Sequence, residues 1–508
     1  MGSIKSLAKD TAIYGLSSIV GRFINWCLVP LYTVMFSTGE YGVVTYIYSI
    51  VALVMIILTY GMETGFFRFA NPRGDTEGEN VNPLEVYSTS LISLAVSSSV
   101  FLALVLVFLG PVSDVLHCPD NPSFAWLMGA TVALDAFTAI PFAYLRYSNK
   151  ALRFAALKLL NIGVNIVLNI FFILICPWLY AQAPATVDWF YNPGYGIGYI
   201  FLSNFAASAL TLLTLLPELR GFEWRFDAAL WRRMLAYSAP LLVLGVAGIM
   251  NQTVDKILLP YLVADKATAM QQLGIYGANY KIAIVMVMFI QAFRFAYEPF
   301  IFSQNRSKGT DKLAVYAMAM KWFVISAMVI FLVVMFYLDF LRYFISPRYF
   351  SGLKVVPLIM IAEFFFGVFF NLSLWYKLTD CTRWGMWFSL MGLAITLALN
   401  IVLVPRIGYM GCAWAAVGCY GTMMLVSYFV GRVKYPIDYG VGRLLFYFVT
   451  AMALYLLSVM LTVPSQWVNI PLRTLLLAFY IIIACRLEGV NPRQLAADAV
   501  GCLSRFKR

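Results

Sequence analysis

Long uncharged apolar runs alternate with short polar breaks along the whole chain. Val43 to Tyr60, Leu91 to Leu109 and Phe323 to Tyr337 carry no charged side chain, and each comes close to the roughly 20 residues that a helix needs to cross a bilayer. Read against charged, Pro and Gly breaks, the pattern predicts spans near 11–36, 41–63, 84–109, 122–145, 155–177 and 195–217. It resumes after a basic stretch with 236–262, 272–300, 313–337, 352–375, 385–404, 410–431, 444–463 and 468–485. The expectation is an all-α integral membrane protein of about 14 transmembrane helices.

The charges orient this map. Of the 36 Lys and Arg residues, 25 are counted on the amino-terminal side, Arg153 and Lys158 among them, and 6 on the opposite side. Since Lys and Arg collect in cytoplasmic loops, both termini are expected in the cytoplasm. The remaining five, Arg22, Lys256, Lys281, Arg294 and Lys321, lie inside predicted spans. Lys5 and Lys9 precede a long apolar stretch with no small-residue cleavage site, which predicts a retained first helix.

Composition agrees: 62% of residues are hydrophobic, 12% are charged, and the mean hydropathy is +0.81. The net charge of +12 sits in short clusters between apolar spans, which argues against a nucleic-acid partner. The eight cysteines are scattered and form no disulfide or metal framework, and His117 beside Cys118 lacks further ligands. No metal or cofactor is expected. Tyr and Trp at span ends, such as Trp189 and Tyr191, are expected in interfacial belts.

An internal repeat divides the chain. Phe23-Ile24-Asn25-Trp26-Cys27-Leu28-Val29-Pro30 matches Thr253-Val254-Asp255-Lys256-Ile257-Leu258-Leu259-Pro260 at an offset of 230 residues, and Leu168-Asn169-Ile170 recurs as Leu399-Asn400-Ile401 at 231. An offset of six helices, an even number, inserts both halves the same way round. The predicted organisation is an N-lobe over 1–218, a cytoplasmic linker over 219–235, a C-lobe over 236–432, and a terminal helix pair with a cytoplasmic tail over 433–508: two parallel six-helix lobes plus a pair.

Six plus six helices followed by two, the opening Ser6-Leu7-Ala8-Lys9-Asp10-Thr11, the Pro30-Leu31-Tyr32 and Glu40-Tyr41-Gly42 of the first hairpin, and Asn400-Ile401-Val402-Leu403-Val404-Pro405 before Gly408-Tyr409-Met410-Gly411 carry a resemblance. The chain resembles Wzx-type O-antigen and capsular oligosaccharide flippases of the multidrug/oligosaccharidyl-lipid/polysaccharide (MOP) exporter superfamily. The resemblance implies a transporter and not an enzyme, with a cavity that opens alternately inward and outward. It implies an undecaprenyl-diphosphate-linked glycan as cargo, and a monomer in the bacterial inner membrane among membrane lipids. Candidate partners are the polysaccharide polymerase and chain-length proteins. A proton or sodium gradient is the candidate driving force, with no cofactor.

Ionisable residues within spans are the site candidates, because hydrocarbon does not tolerate them. Arg22 lies roughly 16 Å into the first span by the 1.5 Å helical rise, and its guanidinium suits a diphosphate. It either lines the cargo cavity or closes an internal ion pair. With Lys256, Lys281 and Lys321 it forms the candidate cationic cavity that the resemblance implies, although Lys321 can instead snorkel to the cytoplasmic surface. Asp135 and Glu363 fall at similar depths of the two lobes and are candidates for proton or cation coupling, or for helix-to-helix hydrogen bonds. Asp255 joins them. As helix neighbours, Asp255 and Lys256 diverge by about 100° and are expected to find different partners or to share one wet cavity, and not to form a simple salt bridge. Arg294 with Glu298, and Glu63 with Arg68, are either gate residues or structural and surface anchors.

Two readings compete with the glycan flippase. One is another cargo on the same fold, either lipid II or a drug exchanged for a cation. The other is a membrane glycosyltransferase or polymerase, which the short outer connections and the lack of a paired-carboxylate or nucleophile motif disfavour.

Overall fold

The computed structural model describes residues 20–71, 82–220, 224–306, 312–379, 381, 383–461 and 466–489, with the side chains of 296, 298–306, 312 and 466–467 excepted. Among these residues the regular structure is entirely helical. Thirteen helical stretches are long and apolar enough to cross a membrane. The predicted first span is described from residue 20: it is helical to 26, breaks at Cys27 and Leu28, and resumes as α1 (Val29–Met35).

The helices that follow are α2 (Thr38–Thr59), α3 (Met62–Ala70), α4 (Pro83–Val107), α5 (Leu109–Val115), α6 (Pro122–Tyr147), α7 (Ala151–Ile170), α8 (Cys176–Gln182) and α9 (Gly198–Leu215). After them come α10 (Ala228–Leu262), α11 (Ala269–Arg306), α12 (Lys312–Phe336), α13 (Val356–Leu372), α14 (Arg383–Ile407), α15 (Tyr409–Lys434), α16 (Val441–Met460) and α17 (Gln466–Leu487). They sort into two compact units. The first takes the chain to Asn279 with Arg348–Gly352 and Gly385–Ala415, and the second takes Tyr280–Pro347, Leu353–Trp384 and Ala416–Arg508.

Local chemistry sets several helix ends. Ser37 and Glu40 close a capping box at the start of α2, with Glu40 N donating to Ser37 Oγ at 3.2 Å and Ser37 N to Glu40 Oε2 at 2.8 Å, which satisfies donors that a helix start leaves open. Within the span predicted as 41–63 the helix breaks after Thr59, although the membrane-length stretch runs on to Ala70. Tyr60 and Gly61 are left-handed, and glycine accepts that conformation without strain, so α3 leaves in a new direction. Between α7 and α8 the chain makes one wide turn, Phe171–Ile175, in which Cys176 N reaches Phe171 O. Pro177 follows immediately. It has no N–H, and in a regular turn its ring would strike the carbonyl of Ile173.

The tightest packing in the first unit is backbone on backbone. A Cβ on Gly42 of α2 would lie 2.0 Å from Met270 O, and one on Gly274 of α11 would lie 1.8 Å from Thr38 O. Only glycine permits this approach. Tyr349 braces the same corner, its hydroxyl donating to Phe36 O at 3.2 Å and Ser37 O at 3.1 Å, while Tyr349 O accepts from Asn279 Nδ2 at 2.8 Å.

The connection predicted over 110–121 contains α5 and then His117, in a left-handed conformation (φ 55°). Its ring lies 5.0 Å from Tyr46 and 5.4 Å from Tyr261, whose hydroxyls bond each other at 2.9 Å. Burial lowers the imidazole's pKa and, with Asp114 nearby, lifts the Cys118 thiol to about 11. Desolvation favours the uncharged form of each. Tyr191, expected in an interfacial belt, is buried and stacked on Tyr199 at 5.1 Å, while Trp189 is 83% exposed.

In the second unit α16 and α17 pack on α12. Arg473 of α17 donates to Asp339 Oδ2 at 2.6 Å and to Phe336 O at 3.0 Å, and Tyr337 and Thr474 share a hydrogen bond of 2.8 Å. At the other end of these helices Lys321 of α12 pairs with Glu488, which also accepts from Tyr447 of α16 at 2.7 Å. Burial pushes the Glu488 carboxyl upward. The hydrogen bonds from Lys321 and Tyr447, with the charges of Lys321 and Arg443, outweigh it and hold the group below the ordinary carboxylate range.

Candidate functional site

The intramembrane charges of the first unit gather in two places. On α10, Asp255 and Lys256 are buried together. Contrary to the expectation of separate partners, Lys256 Nζ folds back to Asp255 Oδ1 at 3.2 Å and to Gln252 O at 2.9 Å. Neighbouring Cα–Cβ directions diverge, but the four-carbon lysine stem is long enough to close the gap. Tyr276 of α11 adds a hydrogen bond of 2.6 Å to Asp255 Oδ2. The carboxylate is thus charge-matched within its own helix turn, and a buried pair of this kind is costly to break from one side.

The second place lies among α3, α6, α7 and α9. Asp135 of α6 accepts from Ser208 Oγ of α9 at 2.7 Å. Glu63 of α3 forms a close ion pair with Arg146 of α6, whose guanidinium also lies 5.1 Å from the Phe67 ring and 5.6 Å from Phe154. Glu63 is therefore tied to α6, while Arg68, at the far end of α3, is exposed. Lys158 of α7 stands 4.0 Å from the centre of the Phe142 ring, a cation–π contact, and feels the charges of Asp135, Glu63 and Arg146.

The charge count had grouped Lys158 with the cytoplasmic cations, although the predicted span 155–177 already included it. The structure places it inside the span Ala151–Gln182. It begins a stripe continued by Asn161, Asn165 and Asn169 at steps of three and four residues, the spacing of one helix face. Asn161 Nδ2 donates to Thr211 at 2.9 Å, Asn169 Nδ2 donates to Asn165 Oδ1 at 2.9 Å, and Tyr32 of α1 donates to Asn169 Oδ1 at 2.9 Å. The helical segment from residue 20 packs here as well. A Cβ on Gly21 would meet Ile162 of α7 at 2.3 Å, which brings the exposed Arg22 to the same stretch of α7. The four-residue recurrence of Asn was the signal in the sequence.

In the second unit, Glu363 of α13 is buried and accepts from Tyr280 Oη of α11 at 2.7 Å. Lys281, next along α11, is half-buried. Arg294 of α11 and Lys377 lie 4.7 Å and 4.4 Å from the same ring, Phe370, and the Glu298 side chain is outside the described residues. Lys321, a cavity candidate by sequence, is held by Glu488. Among the described residues no group of three or more His, Cys, Asp or Glu side chains could hold a metal ion.

Similarity to known proteins bears on this arrangement. The profile described as polysaccharide biosynthesis protein matches residues 7–304. No curated protein matches the chain. Among solved structures, the lipid II flippase MurJ in an inward closed conformation is 13% identical, with a TM-score of 0.68 over 94% of this chain and 99% of that one. An inward-facing multidrug resistance MATE family transporter of the MOP superfamily is 12% identical, with a TM-score of 0.64 over 82% and 94%. The MATE multidrug transporter DinF-BH is 14% identical, at 0.59 over 84% and 96%. At such identities the likeness is one of fold. With the family profile covering more than half of its length, the chain belongs to the polysaccharide biosynthesis protein family, and it is a multi-pass membrane protein with the MurJ and MATE fold.

Proposed function

We propose that the chain moves undecaprenyl-diphosphate-linked oligosaccharide units from the cytoplasmic to the outer leaflet of a bacterial inner membrane by alternating access, for O-antigen, capsule or exopolysaccharide assembly. The observation that carries this reading is a polysaccharide biosynthesis chain whose fold follows a lipid II flippase over 94% of its length. Cations placed inside spans suit the diphosphate. Arg22, Lys256, Lys281 and Lys321 are the candidate cavity cations, and Lys158 joins them. Lys256 serves first to neutralise Asp255, and Lys321 to hold Glu488. Asp135, bonded to the Ser208 hydroxyl, and Glu363, bonded to the Tyr280 hydroxyl, stand with Asp255 as the candidates to carry a proton or another cation for coupling.

Antiport of a cationic drug, suggested by the MATE likeness, is the competing reading. Purified protein reconstituted in vesicles with undecaprenyl-diphosphate-N-acetylglucosamine and an imposed proton or sodium gradient separates the two. Lipid-linked sugar is expected to cross with the wild type, and at least tenfold more slowly with Arg22→Ala or Lys281→Ala. A wild type that leaves this lipid in place while exporting a cationic dye overturns the flippase reading.

A further inference from the structure

Helix α7 has two contrasting faces. Leu152, Leu159, Leu160, Val167, Ile170 and, beyond its end, Leu174 are exposed, an apolar surface suited to lipid. The stripe of Lys158, Asn161, Asn165 and Asn169 runs along another side. Lys158 is exposed, Asn161 and Asn165 are half-buried, and Asn169 is buried. A lysine whose ammonium rests on Phe142 and two half-buried amides within a span do not face hydrocarbon, so this side turns to the protein interior or a water-lined cavity. Hydrogen bonding leaves each amide half used. Among the described residues Asn161 keeps its Oδ1 and Asn165 its Nδ2 without a protein partner.

We infer that this stripe is a contact track for the head of the cargo, with Lys158 on a phosphate and the amides of Asn161 and Asn165 on hydroxyls of the sugar attached to it. The inference rests on the glycan reading of the function. A sugar hydroxyl both donates and accepts, and an acceptor on Asn161 followed one turn on by a donor on Asn165 matches that pairing. The ammonium supplies the charge a phosphate needs. From Lys158 to Asn165 the helix rises about 10 Å, room for a phosphate followed by sugar. Amides are neutral and bind singly with modest strength, which suits a surface that must hold the cargo and then release it. Asn169, locked to Tyr32, ends the track as a fixed anchor.

The test measures binding of two probes to the full-length protein in detergent, undecaprenyl diphosphate and undecaprenyl-diphosphate-N-acetylglucosamine. Asn161→Leu and Asn165→Leu are each expected to weaken the sugar-bearing probe about tenfold, the equivalent of one good hydrogen bond lost, and to leave the bare diphosphate unchanged. Lys158→Gln is expected to weaken both probes equally. Asn165→Gln, which keeps the amide, is expected to recover part of the difference and serves if the leucine variants fold poorly. Asn variants that weaken both probes alike, or neither, overturn the track. A wild type that binds neither probe overturns the glycan reading itself.

Discussion

Helices α7 and α14 carry the same tripeptide 231 residues apart, and they use the face beneath it in opposite ways. On α7 that face reads Lys158, Asn161, Asn165, Asn169, and it opens progressively from the buried asparagine to the exposed lysine. On α14 the matching positions are Ser389, Gly392, Thr396 and Asn400, and the last three are buried. Both amides donate to the carbonyl four residues back, Asn169 to Asn165 O at 2.7 Å and Asn400 to Thr396 O at 2.8 Å, but Asn169 Oδ1 also accepts from Tyr32 of another helix. After its asparagine α7 widens into the Phe171–Ile175 turn, while α14 stays regular to Ile407 with Pro405 inside it. A shared sequence pattern therefore supports two solutions. Small residues let α14 pack closely, while the amides and Lys158 leave the α7 face less buried.

The largest contrast is expected from one substitution made at matched positions. Thr396→Lys buries an unpaired charge on the packed face and should cost about 3–5 kcal/mol, enough to abolish recovery of monodisperse protein. Asn165→Lys, on the open face, should change stability by less than about 1 kcal/mol. Thermal unfolding in detergent reads both, and equal losses would erase the distinction between the faces.

Next in size is the interhelical tie peculiar to α7. Tyr32→Phe removes the donor to a buried carbonyl oxygen and is expected to lower stability by about 1–3 kcal/mol, read by the same melt. No change would mean that Asn169 is satisfied without α1. The smallest effect concerns the wide turn. Pro177→Ala restores an N–H and removes the ring that collides with a regular turn, so amide exchange at Ile173 to Ile175 should slow while overall stability moves by less than about 1 kcal/mol. Exchange as fast as in the wild type would assign the turn to packing and not to proline.

Much of the architecture was legible because lipid imposes a simple rule: apolar runs such as Leu91 to Leu109 return as helices close to their predicted limits. What escaped depended on side-chain reach and backbone detail. Lys158 was counted with the cytoplasmic cations although the predicted span 155–177 already contained it, and hydropathy does not register one lysine on a helix face. The Asp255–Lys256 contact needs a side chain that curls back, which helical angles alone do not foretell. Glu488 lies just past the last apolar run, so only the fold could show that Lys321 ends there. The wide turn before Pro177 and the left-handed break at Tyr60 shift helix directions without disturbing composition. The repeat did point to Asn169 and Asn400 as a pair. It was silent on which of them would border an open face.

The pairing of Lys321 with Glu488 has a consequence for how the protein is made. Ribosomal synthesis delivers α12 to the membrane well before the residue that neutralises its lysine exists. Until α17 follows, Lys321 must stay at the water interface or lean on temporary company, so α12 cannot settle to its final depth when it is first inserted. Completion of the second unit is therefore timed by its last helix, and a chain interrupted before Glu488 would present quality-control proteases with an unfinished α12.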